Sequence, residues 1–93
     1  MIRSFRHAET REVFERRASR RLPPDVQKAA LRKLLVLDAA ETLEDLRVPA
    51  GNRLEKLSGD REGCHSIRIN DQWRVCFLWR NGDAYGVEIV DYH

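Results

Sequence analysis

Trp73-Arg74-Val75-Cys76-Phe77-Leu78-Trp79-Arg80-Asn81-Gly82-Asp83-Ala84-Tyr85-Gly86-Val87-Glu88-Ile89-Val90-Asp91 is the stretch that decides the fold. Trp73, Val75, Phe77 and Trp79 alternate with Arg74, Cys76 and Leu78, the period of two expected of a strand with one apolar face. Asn81-Gly82 is a favoured hairpin turn. Tyr85 to Asp91 then reads as the returning strand. Upstream, His65 to Ile69 forms another strand that Asn70-Asp71 turns into the Trp73 strand. Arg53 to Leu57 forms a short one before the polar, Gly-bounded turn Ser58-Gly59-Asp60-Arg61-Glu62-Gly63.

The amino-terminal half has a different period. Ile2 to Phe5 is read as a short first strand. Glu9 to Ala18 is an amphipathic helix with Val13, Phe14 and Ala18 on one side. Ser19 to Leu22 links it to a second helix that begins at Pro23-Pro24-Asp25. Proline suits a first turn there, and Asp25 suits the positive end of the dipole. Val26, Ala30, Leu34 and Leu37 form its buried stripe, and it is expected to end near Asp38. Thr42 to Leu46 holds one more helical turn, and residues 48–52 form a loop. Helices followed by a meander of strands predict one α+β domain over residues 1–93. Two amino-terminal helices pack on one face of a small antiparallel sheet and leave the other face open.

The 93 residues are 42% hydrophobic and 34% charged, a composition that supports a modest core under a well-solvated surface. No apolar run is long enough to span a membrane, and the start of the chain lacks the apolar centre of a signal peptide, so a cytoplasmic protein without membrane contact is expected. Cys64 and Cys76 are too few for a disulfide framework or a zinc site and read as reduced, structural thiols. No metal cluster and no cofactor motif is visible. The net charge is only +2, but residues 1–37 carry ten basic and four acidic side chains. Arg16, Arg17, Arg20 and Arg21 are crowded together, and an arginine-rich chain suits a polyanionic partner, because the guanidinium fork binds two phosphate oxygens. Solvated helix faces explain the same cluster equally well.

Asp91-Tyr92-His93 follows directly from the last apolar strand. Strand alternation puts Asp91 and His93 on one face with Cα atoms roughly 6.5 Å apart, and Tyr92 on the other. His93 is the best acid or base, since imidazole titrates close to neutrality. Asp91 can orient that ring or act as the base itself. Three proton-handling groups together suggest acid–base catalysis. Arg74, judged from the residues alone, is a sheet-surface arginine, and Trp73 and Trp79 are core.

Taken together, Arg53 to Gly63, Ser66-Ile67-Arg68-Ile69-Asn70, Trp73-Arg74-Val75-Cys76-Phe77, Gly82-Asp83-Ala84-Tyr85 and Asp91-Tyr92-His93 resemble the HigB-type branch of the RelE toxin superfamily, the plasmid-maintenance killer proteins. The likeness covers nearly the whole chain. It implies a RelE-like fold and a toxin that cuts mRNA in the ribosome by metal-independent acid–base chemistry. It further implies neutralisation by a cognate antitoxin, a HigA-like helix-turn-helix protein. By resemblance, Asp91, Tyr92 and His93 match the terminal catalytic residues, and Arg74 matches the sheet arginine that stabilises charge.

Two positions depart from the pattern. Ser58 stands where a basic residue is common, and Glu55 stands where some members have histidine. Lys56, Arg61 and Arg68 are the substitute cations. Lys56 is placed foremost, because on a regular strand it shares a face with Ser58. His65, at a position usually aromatic, offers a proton carrier or a stacking surface. Arg61 and Arg68 are expected on RNA, and Arg16, Arg17, Arg20 and Arg21 on ribosomal RNA. The competing reading is a non-catalytic regulatory partner that binds its antitoxin and an RNA or ribosome surface without cutting.

Overall fold

The computed structural model describes residues 1–17, 21–59 and 63–91. Its elements are α1 (Ala8–Phe14), α2 (Pro24–Ala39), two short 3₁₀ turns (Leu43–Arg47 and Ala50–Asn52), β1 (Glu55–Lys56), β2 (Cys64–Arg68), β3 (Trp73–Arg80) and β4 (Asp83–Asp91). The four strands form an antiparallel sheet in the order β1-β2-β3-β4. The expected α+β arrangement is present, with both helices over one face.

The alternation in β3 sorts the two faces. Val75 and Phe77 are essentially unexposed and join Ile67, Ala84 and Val87 from the neighbouring strands. Val26, Ala30, Leu34 and Leu37 of α2 close over them, which is the i, i+4 stripe read from the sequence. Trp73 and Trp79 pack against the same cluster. Directly opposed residues of antiparallel strands share a face. The pairs Glu55–Ser66, Ser66–Cys76, Arg68–Arg74, Arg74–Val90 and Cys76–Glu88 therefore all lie on the side without helices.

Local chemistry sets the boundaries. Asn81 (φ 52°) and Gly82 (φ 82°) both adopt positive φ, as a two-residue turn between twisted strands requires. Helix α1 stops earlier than its periodicity suggested. Arg16 enters the left-handed region (φ 62°), the Arg16 amide donates to the Val13 carbonyl at 3.0 Å, and the Arg17 amide donates to that of Glu12 at 2.7 Å. This doubly bonded cap satisfies carbonyls that a further turn would have used. Ala18, the expected last residue, lies outside the described residues. The Thr42 turn closes with a reciprocal cap. Asp45 N–H donates to Thr42 Oγ1, and Asp45 Oδ2 accepts from the Thr42 amide at 3.0 Å.

Two expected strands are modified. Residues 2–5 run parallel to β4 and meet it at two bridges, Ile2–Ala84 and Phe5–Val87. The ladder is interrupted because β4 carries an extra residue opposite Phe77, with Gly86 at φ 58°. The Gly86 amide released by this bulge donates to Ser4 Oγ at 2.8 Å. The Arg53–Leu57 strand shrinks to Glu55–Lys56, because Arg53 turns left-handed at φ 45°. Among the described residues no helix is long and apolar enough to cross a membrane.

Candidate active site on the helix-free face

Arg74 is the centre of the open face. Its strand position points it away from the helices, yet it is only 7% exposed. Burying a guanidinium requires acceptors, and β2 and the turn before β1 supply them. Nε donates to Ser66 Oγ at 2.8 Å, and Nη2 donates to the Arg53 carbonyl at 2.6 Å and to the Ser66 carbonyl at 3.3 Å. The left-handed turn at Arg53 is what aims that carbonyl. Glu55 adds a carboxylate, with Oε1 3.9 Å from Nη1 and a half-exposed side chain. A fixed cation beside a carboxylate can hold a phosphate and accept a proton next to it.

Arg68 lies on the same face, in register with Arg74, and donates to the exposed Asp71 carboxylate. One pleat further along β3 the face deepens into a cavity of about 150 Å³ lined by Arg6, Cys64, Cys76, Tyr85 and Glu88, among others. Glu88 is 7% exposed, and Arg6 Nη1 donates to its Oε2 at 3.2 Å. Cys64 and Cys76, not joined to each other, contribute their thiols to the walls.

The structure separates several residues that the sequence grouped. Lys56 is not brought to Arg74. The β1 register pairs it with His65, so it shares the face of His65 and Phe77, and Glu55 takes the position beside Arg74. The reason is the pleat: adjacent residues point to opposite sides. Asp91 is in register with Trp73, on the side opposite Arg74, and its carboxylate accepts from Gln72 Nε2 at 3.0 Å. His65 does not reach the open face either. It lies 6.2 Å from the Phe77 ring in a stacked geometry, with Nδ1 buried and without a partner among the described residues. Burial, reinforced by the positive charges of Lys56 and Arg47, lowers the pKa of its imidazole below the ordinary value and so favours the neutral form.

Of the arginine cluster, Arg17 and Arg21 make long, exposed ion pairs of 3.7 Å with Glu15 and Glu9. Such contacts are weak and exchange readily for contacts with a polyanion. Arg16 is exposed and caps α1. Arg20, Arg61, Tyr92 and His93 lie outside the described residues. Sequence reading missed Glu55 as the partner of Arg74, and it missed Glu88 altogether. The only sequence signal for Glu88 is a carboxylate interrupting the apolar run Val87 to Val90.

Residues 3–93 match the family described as HigB-like toxin, the RelE-like toxin HigB of type II toxin–antitoxin systems. Toxin HigB-1 of Vibrio cholerae is 48% identical over 65 residues, covering 70% of this chain and 68% of that protein. Endoribonuclease HigB of Proteus vulgaris is 34% identical over 93 residues, the full length of both chains. Crystal structures of YafQ from E. coli share the fold at 12–13% identity. One of them, of a point mutant, superposes with a TM-score of 0.60 over 98% of this chain and 93% of its own. Family match, full-length relative and shared fold agree, and the chain belongs to the HigB-like family of RelE-like toxins of type II toxin–antitoxin systems.

Proposed function

We propose that the chain is a ribosome-dependent endoribonuclease that cleaves mRNA and thereby inhibits translation in the cytoplasm, restrained by a cognate HigA-like helix-turn-helix antitoxin. The observation that carries this reading is Arg74, buried on the open face and locked by Ser66 and the Arg53 carbonyl, with the Glu55 carboxylate beside it. The name of the Proteus vulgaris relative, Endoribonuclease HigB, points the same way.

The chemistry needs a base, an acid and a cation. The ribose 2′-oxygen attacks phosphorus, its proton passes to a base, and the bond to the 5′-oxygen breaks as an acid protonates that oxygen. A 2′,3′-cyclic phosphate remains. Arg74 stabilises charge on the phosphorane, and because its donors are already fixed it reorganises little during the reaction. Glu55 is the base next to the phosphate site. His93 is the acid and Tyr92 supports it; Asp91, on the side opposite Arg74, accepts a hydrogen bond from Gln72 and anchors the strand that leads to them. Metal-independent cleavage follows from this set of roles. Arg68 and Arg61 hold the RNA backbone, and Arg16, Arg17, Arg20 and Arg21 dock on ribosomal RNA. These residues handle charge and protons, and the ribosome supplies the in-line geometry.

A binding partner without catalysis is the second reading. It is favoured by the absence of a lysine beside Arg74 among the described residues, with Ser58 in the usual basic position and Lys56 on the far side. Induction in cells separates the two. The nuclease reading expects growth arrest with new mRNA 5′ ends inside coding sequences, both lost in Arg74→Ala and His93→Ala. Arrest without new ends would support the binder.

A further inference from the structure

We infer that the cavity beside Arg74 is a nucleobase pocket, and that Glu88 reads the base by accepting a hydrogen bond from its exocyclic amine; this rests on the nuclease reading for its substrate. The size fits a flat ring: a cavity of roughly 150 Å³ holds a benzene in another protein, whereas whole drug-sized ligands need about 300 Å³ or more. The pocket here is about 150 Å³. Its place fits too. Cys76 in its wall is two residues from Arg74 on the same strand face, roughly 6.5 Å of strand, close to the step from a backbone phosphate to the base of its nucleotide.

The lining is chemically uneven. Cys64, Cys76 and Leu78 give soft apolar walls, and Tyr85 adds an aromatic surface. Glu88 is the acidic group there, nearly buried, in register with Cys76. Its Oε2 accepts from Arg6, while Oε1 has no hydrogen bond among the described residues, and the His7 Nε2 atom lies 4.0 Å from it. A carboxylate offers about four acceptor sites, so Glu88 keeps capacity for a donor entering the cavity. Adenine, cytosine and guanine present an amine. Uracil has no amine; its one Watson–Crick donor, N3–H, sits between two carbonyl oxygens that would meet the carboxylate repulsively. Arg6, exposed at the rim, is positioned to take the adjoining phosphate.

Glu88→Gln inverts the signal. Arg6 retains the side-chain oxygen, and the amide nitrogen then presents a donor to the cavity, which suits uracil. The test is an NMR titration of the intact protein with AMP, CMP, GMP and UMP, read at the amides of Cys64, Cys76, Gly86 and Glu88. The expected result is saturable shifts at these amides, with UMP about tenfold weaker than the others, the scale of one hydrogen bond to a charged group. In Glu88→Gln the order reverses in favour of UMP. Cys64→Phe, which fills the cavity from its wall, abolishes the shifts while the remaining amide spectrum is preserved. Equal binding of all four nucleotides, shifts confined to the Arg74 region, or no shifts at all would overturn the pocket. Because this readout does not need cleavage, it is independent of the nuclease assay. A protein that cuts mRNA yet shows no pocket shifts rejects the pocket alone. One that shows the shifts but never cuts rejects the nuclease reading alone.

Discussion

Replacing Arg74 by lysine keeps the charge and removes the fork. Among the described residues the guanidinium donates to Ser66 Oγ, the Ser66 carbonyl and the Arg53 carbonyl. A single ammonium at the end of a flexible stem cannot span Ser66 and Arg53 together. Hydrogen bonds to charged groups contribute about 1.5–3 kcal/mol each. With water able to reach the released Arg53 carbonyl at the sheet edge, a net loss of about 2 kcal/mol is expected, a fall in Tm of roughly 8–16 °C for a domain of this size. The loss of aimed donors costs about 100-fold or more in the single-turnover rate of mRNA cleavage. Ser66→Ala removes only the hydroxyl and should fall between Arg74→Lys and wild type in both measurements. Circular-dichroism melting and single-turnover cleavage on programmed ribosomes test this together. A lysine variant that melts within about 2 °C of wild type, or cuts at the wild-type rate, would refute the assignment.

Other outcomes follow from the same geometry. Glu55→Gln should lower the cleavage rate by about 10²–10⁴-fold, the range of a positioned proton acceptor, while Lys56→Ala leaves it nearly unchanged; parallel single-turnover assays check the contrast. His93→Ala should abolish growth arrest at equal protein abundance, measured by induction with immunoblotting, and full toxicity would remove it from the chemistry. Folding lowers the His65 pKa below its ordinary 6.5, so the unfolded chain takes up the proton first. Its stabilising contribution is complete above 6.5 and is lost as pH falls through the folded value. Tm between about pH 7.5 and pH 5 should therefore drop more in wild type than in His65→Phe.

The β3–β4 hairpin was legible because Trp73 to Trp79 alternates without a break and Asn81-Gly82 has one natural turn conformation. Helix α2 was legible because Pro24 starts it and its stripe repeats at i, i+4. The early end of α1 was not, because it depends on Arg16 adopting positive φ, which no side-chain pattern advertises. In the proposed site, alternation alone made Arg74 a sheet-surface arginine, and only the family resemblance singled it out. Its partner was hidden by a one-residue question: whether Glu55 or Lys56 faces it turns on the register of a two-residue strand, and a shift by one reverses the answer. The Gly86 bulge has the same character. It shifts the register between Leu78–Tyr85 and Cys76–Glu88 and allows Ser4 to dock on the freed amide, a long-range contact that local periodicity cannot encode. Glu88 in the sequence is one polar residue in an apolar run; only the cavity beside it gives the carboxylate a meaning.

The central claim is that Arg74 and its neighbours cut mRNA while it is held on the ribosome. Mapping the 5′ ends of one mRNA in a reconstituted translation reaction, with and without ribosomes, tests it most directly. The account predicts new ends on the translated mRNA, none on the naked transcript, and none in either case with Arg74→Ala. Cleavage of naked RNA at a comparable rate, or unaltered cleavage by Arg74→Ala, would contradict it.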